Sequence, residues 1–489
     1  MKKGSYEFTG QTGYVMIKEQ GIFTEGKVMN IIKKIFAPVD MTCGTPWKKI
    51  AIFAIPMLLG NIAQQTYSAV DSVVVGKYVG DNALAAVGSA GPIMNLLIVL
   101  FVGISVGVSI MVSQYFGARN REELSATIGN CITVIGIASL VIMVLSLFIT
   151  RPLLELLGTP ESIIDWSEGY LLIIFLGAAT GGYYNILSGV LRGLGDSVSA
   201  LLYLLVSCVT NIILDIVFVK YVGMGVNGVA LATVIAQGIS ALLCLNKLFR
   251  MKEYFDLNAT HLKLSGRHVR QIFELGIPSG ITQAIISLSM IVVQALSNSF
   301  GETFIAANVM VQRVDGFAML PAFSFGMAMT TFAGQNVGAK RMDRVDQGTR
   351  QGTILAVATS AGITVVLLVI GRFLMSIFTN TPSLVDLGMR LLTILAFGYP
   401  MMAITQSLFG IMRGAGDTMT PMWLSTLQTV VLRVPMAYLL VYLTRSPEYP
   451  KGREECIFIS LVVTWTISAA MNFGIFRLGR WKKKAFGAE

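Results

Sequence analysis

Residues 188–201 read SGVLRGLGDSVSAL, and residues 409–422 read FGIMRGAGDTMTPM. Both stretches contain the pattern R-G-x-G-D, and the residue numbers of the two copies differ by a constant offset of 221. The same offset relates GAR at 117–119 to GAK at 338–340. Anchors that recur at one spacing predict that the chain is built from two copies of one structural unit.

The material between these anchors is apolar. Hydrophobic residues make up 54% of the 489 residues and charged residues only 13%, against roughly 25% charged in ordinary soluble domains. The runs 93–112, 125–150 and 353–371 carry no charge, and each meets the roughly 20 residues that cross a bilayer. We predict an all-α membrane protein with twelve transmembrane helices, at approximately 50–76, 84–114, 124–149, 166–191, 197–221, 225–248, 270–299, 303–336, 347–373, 387–412, 418–443 and 457–478.

The basic residues predict the orientation of these helices. If the N-terminus is cytoplasmic, the cytoplasmic segments and adjoining helix ends hold 27 Lys and Arg residues, and the outer segments hold 8. This asymmetry follows the positive-inside rule, so we expect a multi-pass protein of the inner (plasma) membrane with both termini in the cytoplasm. The net charge of +10 is then a topology signal and requires no nucleic-acid partner.

The repeat predicts how the helices are grouped. The offset spans six helices, an even number, and Pro56 pairs with Pro278 at a similar offset of 222. The copies should therefore form two six-helix bundles related by a pseudo-two-fold axis along the membrane normal, with a pocket between them. That layout suits alternating access, and a channel does not require it. The expected divisions are a cytoplasmic segment at 1–45, bundles at 46–250 and 269–480, a linker at 251–268 and a basic tail at 481–489.

Two smaller features leave alternatives open. Residues 28–36 have the composition of a short interfacial amphipathic helix, although the whole segment 1–40 could also be an upstream extension. The R-G-x-G-D loops predict tight turns on the cytoplasmic side, in which each Arg caps the preceding helix and each Asp the following one. The alternative is a role in gating. The loop residues are Arg192, Asp196, Arg413 and Asp417.

Ionisable residues inside predicted spans are candidates for function, because insertion at the bilayer centre costs about 2.5 to 3.5 kcal/mol. Asp71 lies in the first span, where Gln64, Ser68 and Asp71 follow i, i+4, i+7 spacing and share one helical face. This polar face should point at a water-filled cavity.

A second carboxylate, Asp215, lies in the fifth span, four residues after Asn211 and therefore on the same face. Thr233 in the sixth span could join them. One interpretation is a structural polar clasp between helices. The other is a cation site, because two carboxylates in a dry site repel each other and one of them favours its protonated form. Such a site could take a proton or, with the amide and hydroxyl oxygens, a sodium ion.

The second half of the chain is built differently. Val293 and Met436 occupy the positions equivalent to Asp71 and Asp215. The charged residues Asp315 and Arg433 either line a cavity or pack against partners within the protein. We predict that the substrate cavity is lined by Gln64, Gln65, Ser68, Gln283, Gln294, Asn298, Arg313 and Met402.

Several motifs together resemble one known family. Residues 41–49 read MTCGTPWKK, residues 53–80 read FAIPMLLGNIAQQTYSAVDSVVVGKYVG and residues 83–88 read ALAAVG. With both R-G-x-G-D loops, these motifs resemble the multidrug and toxic compound extrusion (MATE) transporters over about residues 41–480. The resemblance implies a twelve-helix, two-lobe exporter of organic cations and drugs that is driven by inward flow of protons or sodium.

The resemblance also implies a coupling site. In the DinF-like branch, the acidic first helix, the Asn and Asp of the fifth helix and the Thr of the sixth fall on Asp71, Asn211, Asp215 and Thr233. The same four residues would hold Na⁺ if sodium is the coupling ion. Other branches place acids where this chain has Ile286 and Met402. Their absence removes the second-half cation site of those branches and favours the DinF-like interpretation.

Other function classes have little support in the sequence. The chain has no G-x-x-x-x-G-K-[ST] loop, its five cysteines show no paired spacing and it has only two histidines. We therefore expect neither an enzyme nor an organic cofactor, and we expect a monomer whose partners are the lipid bilayer and small organic cations. A flippase for a lipid-linked precursor is the alternative. It would require a strongly cationic cavity, for which only Arg313 and Arg433 are available.

Overall fold

The computed structural model describes residues 37–485. The interfacial helix predicted at 28–36 lies outside these residues. The part from Val39 onward forms one compact unit. The α-helices of the described residues are α1 Pro46–Tyr78, α2 Asp81–Gly117, α3 Arg121–Leu156, α4 Glu161–Leu176, α5 Ala178–Gly193, α6 Ser197–Asp215, α7 Gly225–Arg250, α8 Gly266–Asn298, α9 Glu302–Ala318, α10 Leu320–Gly338, α11 Met342–Phe378, α12 Pro382–Ala396, α13 Tyr399–Gly414, α14 Met419–Thr426, α15 Val434–Leu443 and α16 Cys456–Arg477. π-Helical segments Ile216–Tyr221 and Leu427–Arg433 extend α6 and join α14 to α15, and Arg480–Lys484 forms a final 3₁₀ turn.

All twelve predicted spans coincide with helical segments of the described chain. Nine single or continuous helices and two bent pairs within residues 37–485 are long and apolar enough to cross a membrane. The remaining span, α1, is 33 residues long. It contains the polar stretch Asn61–Ser72, which lowers its hydropathy and belongs to the candidate site described below. The all-α, twelve-helix prediction is confirmed.

Local sequence explains where several helices begin. The Asn120 side chain accepts a hydrogen bond from the Glu123 amide (3.2 Å), which caps the first turn of α3. Pro46 and Pro382 lie in the first turns of α1 and α12, where a helix has no use for the missing N–H.

Two spans contain breaks that the apolar pattern does not predict. Gly177 separates α4 from α5 with a bend of 51°, and Gly398 precedes α13 at a bend of 43°. The repeat offset of 221 relates the two glycines, so the bends are equivalent features of the two copies. A Cβ at Gly398 would lie 2.4 Å from the Trp465 ring, which shows how closely α16 packs against this bend.

Helices α1–α7 form the N-lobe and α8–α16 form the C-lobe. The lobes contact each other most closely along α2 and α8, where a Cβ at Gly107 would lie 2.7 Å from the backbone nitrogen of Gly276. Gly103 and Gly280 repeat this approach one turn away. Only residues without side chains permit two helix backbones to pack at this distance.

The inter-lobe contact is most extensive at one end of the molecule, which we call the motif end because it carries the two R-G-x-G-D loops. Residues 101–117 of α2 are mostly buried, whereas residues 84–100 include many exposed side chains. Leu96 (67% exposed) and Ile291 of α8 (65% exposed) illustrate the open part. The lobes are therefore packed closely at the motif end and more loosely toward the opposite end, where Asn95 Nδ2 of α2 donates to Ser287 Oγ of α8 (3.4 Å).

Candidate functional site

The N-lobe brings Asp71 of α1 and Asp215 of α6 to opposite sides of one amide group. When the Asn211 amide is oriented with its nitrogen toward the two acids, it donates to Asp71 Oδ1 (3.0 Å) and to Asp215 Oδ2 (2.9 Å). Its oxygen then accepts from the Thr233 backbone N–H (3.2 Å). This orientation gives both atoms of the amide suitable partners, whereas the opposite one turns the amide oxygen toward acceptors.

The surroundings of this cluster are dry. Asn211 and Asp215 are fully buried and Thr233 is nearly so, while Asp71 is half-buried. The Tyr67 hydroxyl lies 3.4 Å from Thr233 Oγ1 and adds a further oxygen. Within residues 37–485, Asp215 Oδ1 accepts no hydrogen bond from a donor group, and the Asp71 and Asp215 carboxyl groups lie close enough to share a proton. A buried carboxylate oxygen without a partner is costly, and a proton or a hard cation would compensate it.

The rest of the predicted polar face of α1 does not join this cluster. Gln64 and Ser68 are exposed, and Ser68 Oγ donates to the Gln64 carbonyl oxygen (3.1 Å). Gln65, one position around the helix, lines a cavity in the C-lobe instead. Of the residues that share this helical face, Asp71 therefore belongs to the candidate ion site, whereas Gln64 and Ser68 lie at the surface.

The C-lobe contains two adjoining cavities of about 290 and 220 Å³. The larger lies against Trp465 and the smaller against Phe458. Both are lined by Asp315 of α9 and by Arg433, the last residue of the π-helical segment. We call the pair of cavities the C-lobe chamber. The residues common to both cavities are Met290, Asp315, Gly316, Arg433 and Leu461.

An amide network forms one wall of the smaller cavity. Gln294 Oε1 accepts from Asn308 Nδ2 and from Gln312 Nε2, each at 3.3 Å. Gln294 Nε2 donates in turn to Asn298 Oδ1 (2.9 Å). Asn308 and Gln312 were not singled out from the sequence, because their link to Gln294 joins two helices and leaves no mark in helical periodicity.

The structure divides the predicted cavity residues of the C-lobe into two groups. Gln294 and Met402 line the chamber, whereas Gln283, Asn298 and Arg313 are exposed and line neither of its cavities. Their part in lining a substrate cavity therefore stays a prediction. Gln283 lies eleven residues before Gln294, or about 16 Å along α8 at 1.5 Å per residue.

Helix geometry explains why Arg313 does not line the chamber. It lies two residues before Asp315, and two residues turn an α-helix by about 200°. The carboxylate therefore faces the chamber while the guanidinium of Arg313 points away from it.

The motif end is held by a pair of reciprocal hydrogen bonds between the lobes. Gln114 Nε2 of α2 donates to the Gly414 carbonyl oxygen of the C-lobe (2.9 Å). Gln335 Nε2 of α10 donates to the Gly193 carbonyl oxygen of the N-lobe (3.2 Å). The repeat offset of 221 relates the two glutamines to each other, and likewise the two glycines. Extending the GAR and GAK anchors upstream by three residues would have identified them.

A segment before α1 strengthens this closure. The Met41 amide donates to Gln335 Oε1 (2.9 Å), and Arg344 Nη2 donates to the Met41 carbonyl oxygen (3.1 Å). The Val39 amide donates to the Gly195 carbonyl oxygen (3.1 Å). Residues 39–41 therefore join the N-lobe loop to the C-lobe.

Each R-G-x-G-D loop contains a left-handed glycine and an N-capping Asp. Gly195 and Gly416 have φ of 92° and 91°, a region that only glycine adopts readily. Asp196 Oδ1 accepts from the Ser199 amide (2.9 Å), and Asp417 Oδ1 accepts from the Thr420 amide (3.2 Å).

The arginines of these loops do not both cap the preceding helices as expected. Arg192 donates to Ser188 Oγ (3.0 Å) and to Ser105 Oγ (3.1 Å), and Arg413 donates to Gln406 Oε1 (3.3 Å). Helical side chains lean toward the N-terminus, so an Arg in the last turn points away from the free carbonyl groups. Arg192 therefore does not cap α5, whereas Arg413 Nε also donates to the Phe409 carbonyl oxygen near the end of α13 (3.3 Å).

Comparison with known proteins agrees with this architecture. The family model MatE matches the chain twice, over residues 56–217 and 278–439. The chain is 30% identical over 445 residues to "Probable multidrug resistance protein YoeA" of Bacillus subtilis (strain 168), covering 90% of this chain and 95% of the relative. It is 25% identical over 344 residues to "DNA damage-inducible protein F" of Escherichia coli (strain K12), covering 69% and 74% of the two chains.

A solved structure shares the fold. It is described as the "Outward-facing conformation of a multidrug resistance MATE family transporter of the MOP superfamily", and it superposes with a TM-score of 0.84 at 23% identity. The match covers 91% of this chain and 98% of that one. The two-lobe, twelve-helix arrangement, the double match to the family model and the full-length relatives together show that the chain belongs to the MatE family of membrane transporters.

Proposed function

We propose that this transporter exports organic cations and drugs by antiport with H⁺ or Na⁺, and that Asp71, Asn211, Asp215 and Thr233 bind the coupling ion. The observation that supports this proposal is the Asn211 amide held between two carboxyl groups at 3.0 and 2.9 Å. Asp215 Oδ1 accepts no hydrogen bond from a donor group among the described residues, and the polyoxygen environment suits either ion.

The coupling ion can act on the lobes because the acids lie on separate helices. Asp71 belongs to α1, which packs against α10 of the C-lobe through the Asn61–Ser324 hydrogen bond (3.0 Å). Asp215 and Asn211 belong to α6. Neutralising one carboxyl group removes the need to hold α1 and α6 in one geometry. Occupancy of the site would thereby bias the position of α1 against the C-lobe.

The orientation is also a proposal. The excess of Lys and Arg favours placing the motif end in the cytoplasm. The closely packed motif end and the looser opposite end then correspond to an outward-facing state, the same state in which the similar transporter was solved. We further propose that the protein acts as a monomer in the inner (plasma) membrane. The flippase alternative has less support, because Arg433 shares its cavities with Asp315 and Arg313 lines neither of them.

The test is ethidium export, measured as uptake into everted vesicles under an imposed proton or sodium gradient. Asp71→Asn should abolish gradient-driven efflux while leaving insertion unchanged. Asp165→Asn is the matched control, because its side chain is 77% exposed and distant in sequence from the site. Efflux by Asp71→Asn at the wild-type rate would overturn the coupling assignment. Failure of the wild-type protein to respond to either gradient would overturn antiport.

A further inference from the structure

We propose that a cleft at the motif end binds the headgroup of an anionic phospholipid, and that the bound lipid stabilises the closed arrangement of the lobes. The cleft has a volume of about 720 Å³, within the range of small-molecule sites. It shares no lining residue with the C-lobe chamber, and we call it the motif-end cleft. Both lobes contribute to its walls, which include Gln114 of the N-lobe and Arg270, Gln271, Gly416, Met419 and Lys484 of the C-lobe.

The repeat places two equivalent clefts at the motif end, and the first is filled by the chain itself. Met41 is fully buried there, and its amide donates to Gln335 Oε1 (2.9 Å). A Cβ at Gly195 would lie 2.4 Å from the Val39 carbonyl oxygen. Residues 39–41 therefore occupy the space between Gln335 and Gly195.

The second cleft, at the equivalent positions Gln114 and Gly416, is the motif-end cleft. A Cβ at Gly416 would meet no heavy atom of the described residues closer than 3.4 Å. At the offset of 222 that relates the starts of the two copies, the residue equivalent to Asp40 is Leu262. Its carbonyl oxygen accepts instead from Thr133 Oγ1 of α3 (2.8 Å). The linker thus packs elsewhere, and the second cleft is left open to a ligand.

The charges at the rim of the cleft favour a phosphate. Two basic residues, Arg270 and Lys484, and one acid, Glu274, line it. Arg270 uses Nε for Glu274 (2.7 Å), and Lys484 Nζ donates to Asp417 Oδ1 (2.9 Å). The terminal guanidinium nitrogens and two ammonium protons remain for the oxygens of a phosphate. The 3₁₀ turn that carries Lys484 holds three further basic residues, which add to the attraction for an anion.

Two amide oxygens of the cleft indicate a headgroup that also donates hydrogen bonds. Gln271 Oε1 is buried and accepts no hydrogen bond within residues 37–485, which is unfavourable unless a ligand supplies the donor. Gln114 donates through its nitrogen to the Gly414 carbonyl oxygen (2.9 Å), whereas its own oxygen has no donor among the described residues. The equivalent oxygen of Gln335 accepts from Met41. A glycerol headgroup carries hydroxyl donors beside an anionic phosphate, so phosphatidylglycerol has the chemistry that the cleft requires.

Exposed apolar side chains continue from the cleft along two helices and favour a lipid over a soluble anion. Ile277 and Ile281 are one turn apart on α8, Met419 and Trp423 are one turn apart on α14, and all four are exposed. Ile277 and Met419 also line the cleft. Acyl chains can follow these two stripes while the headgroup enters the cleft. With the motif end placed in the cytoplasm, this is a basic pocket between membrane helices on the side where such pockets bind anionic headgroups.

A lipid in this position would act on the equilibrium between the lobes. Gln114 belongs to α2 of the N-lobe and Gln271 to α8 of the C-lobe, so one headgroup contacts both lobes only while the motif end is closed. A ligand that binds one arrangement more tightly shifts the population toward it. The lipid would therefore hold the transporter with its motif end closed.

The experiment compares two lipids that have the same dioleoyl chains and different headgroups. Phosphatidylglycerol is anionic and carries hydroxyl donors, whereas phosphatidylcholine is zwitterionic and carries none. Native mass spectrometry of the purified full-length protein measures how much of each lipid is retained at equal concentration. One Lys or Arg near the membrane surface contributes about 1 kcal/mol, or about fivefold. We expect the wild type to prefer phosphatidylglycerol by about 25-fold, Arg270→Gln or Lys484→Gln by about fivefold, and the double variant not at all. Gln271→Leu should weaken the binding of phosphatidylglycerol and leave that of phosphatidic acid, which lacks the glycerol hydroxyls, unchanged.

A second measurement tests the effect on the lobes. Spin labels at positions 122 and 343, which are exposed and lie on different lobes, report the distance across the motif end in nanodiscs. Replacing phosphatidylcholine by phosphatidylglycerol should reduce the population of longer distances in the wild type and leave the double variant unchanged. An equal response of the double variant, or no response of the wild type, would overturn the stabilising role.

The controls separate this site from general attraction between the protein and anionic lipid. Arg341→Gln makes the same chemical change at an exposed residue of the motif end that does not line the cleft, so the preference should persist. Equal retention of the two lipids by the wild type would overturn the proposal, and so would the wild-type preference in the folded double variant. Displacement of the lipid by an equal concentration of glycerol 3-phosphate would show that the cleft takes a soluble phosphate instead. None of these measurements requires transport, so their outcome is independent of the proposed export function.

Discussion

The reciprocal glutamine bonds at the motif end give a quantitative prediction about the equilibrium between closed and open arrangements. Gln335 is fully buried, donates to the Gly193 carbonyl oxygen (3.2 Å) and accepts from the Met41 amide (2.9 Å). Gln335→Met keeps nearly the same shape and removes both bonds. Two buried backbone groups would then lose their partners in the closed arrangement, whereas water could reach them once the motif end opens.

The size of the shift follows from the number of groups left unpaired. Each buried group without a partner costs about 1 to 3 kcal/mol. Gln335→Met leaves two such groups and should destabilise the closed arrangement by at least about 2 kcal/mol, a population shift of about 25-fold at 1.4 kcal/mol per factor of ten. Gln114→Met leaves only the Gly414 carbonyl oxygen unpaired. Its shift should start at about 1 kcal/mol, or roughly fivefold.

Spin labels across the motif end measure this shift. Glu122 and Asp343 are exposed, lie on different lobes and occupy equivalent positions in the repeat. Labels at cysteines introduced there, in a background without the native cysteines, report the inter-lobe distance by pulsed electron paramagnetic resonance. Gln335→Met should increase the population of longer distances, and Gln114→Met should do so to a smaller extent.

The control variant and the result that would contradict the prediction are both read from the same distance distribution. Gln347→Met changes an exposed glutamine of α11 and should leave the distance distribution unaltered. Folding is checked by thermal denaturation. A folded Gln335→Met protein with the wild-type distance distribution would refute the view that these bonds hold the motif end closed. A larger effect of Gln114→Met would refute the count of unpaired groups.

Three further substitutions test other contacts. Gly107→Ala would place a Cβ 2.7 Å from the Gly276 backbone nitrogen and should also open the motif end, as read by the same labels; unchanged distances would contradict the close approach of α2 and α8. Asp196→Ala removes an N-cap and the ion pair with Lys247 (3.4 Å), and should lower the free energy of unfolding by about 1 to 2 kcal/mol; a denaturation midpoint equal to that of the wild type would contradict this. Thr233→Val removes a hydroxyl from the proposed coupling site and should raise the ion concentration needed for half-maximal efflux, whereas an unchanged value would exclude that hydroxyl from ion binding.

The sequence predicts most of the twelve helices because their apolar runs are long enough to cross a bilayer, whereas α1 is interrupted by the polar stretch Asn61–Ser72. It also places Asp71 and Asp215 as a pair, since both are charges inside apolar spans, and the structure brings them to one amide. Their role as a coupling site remains a proposal. The bends at Gly177 and Gly398 could not be predicted, because the apolar pattern continues through them. What makes each glycine necessary is a close neighbour from a distant part of the chain, such as Trp465.

The directions in which several side chains point could not be predicted from the sequence either. Helical spacing specifies which residues share a face, but it does not say which face is turned toward the cavity. Asp315 and Arg313 lie two residues apart and point in nearly opposite directions, so only one of them lines the chamber. Arg192 has a favourable position for capping, yet its side chain leans back to Ser105 of another helix.

The repeat divides the molecule into parts that are duplicated and parts that are not. Duplicated parts are mechanical, because the paired bends, capped loops and inter-lobe glutamines all recur at the same offset. The ionisable residues inside the spans are not duplicated: Asp71 and Asp215 occur only in the N-lobe, and Asp315 and Arg433 only in the C-lobe. If the former bind the coupling ion and the chamber that the latter line takes the substrate, neither ligand competes with the other for the same side chains.

Coupling between such separate sites requires an element that both can influence. Helix α1 meets this requirement, because it carries Asp71 to the N-lobe acids and Gln65 to the C-lobe chamber. The two residues are six positions apart, or about 9 Å along the helix. A change in the position of α1 that accompanies ion binding would therefore alter the wall of the chamber directly. Gln65→Ala should then weaken the effect of the coupling ion on ethidium affinity while leaving ion binding intact. An effect of the ion equal to that in the wild type would show that coupling takes another route.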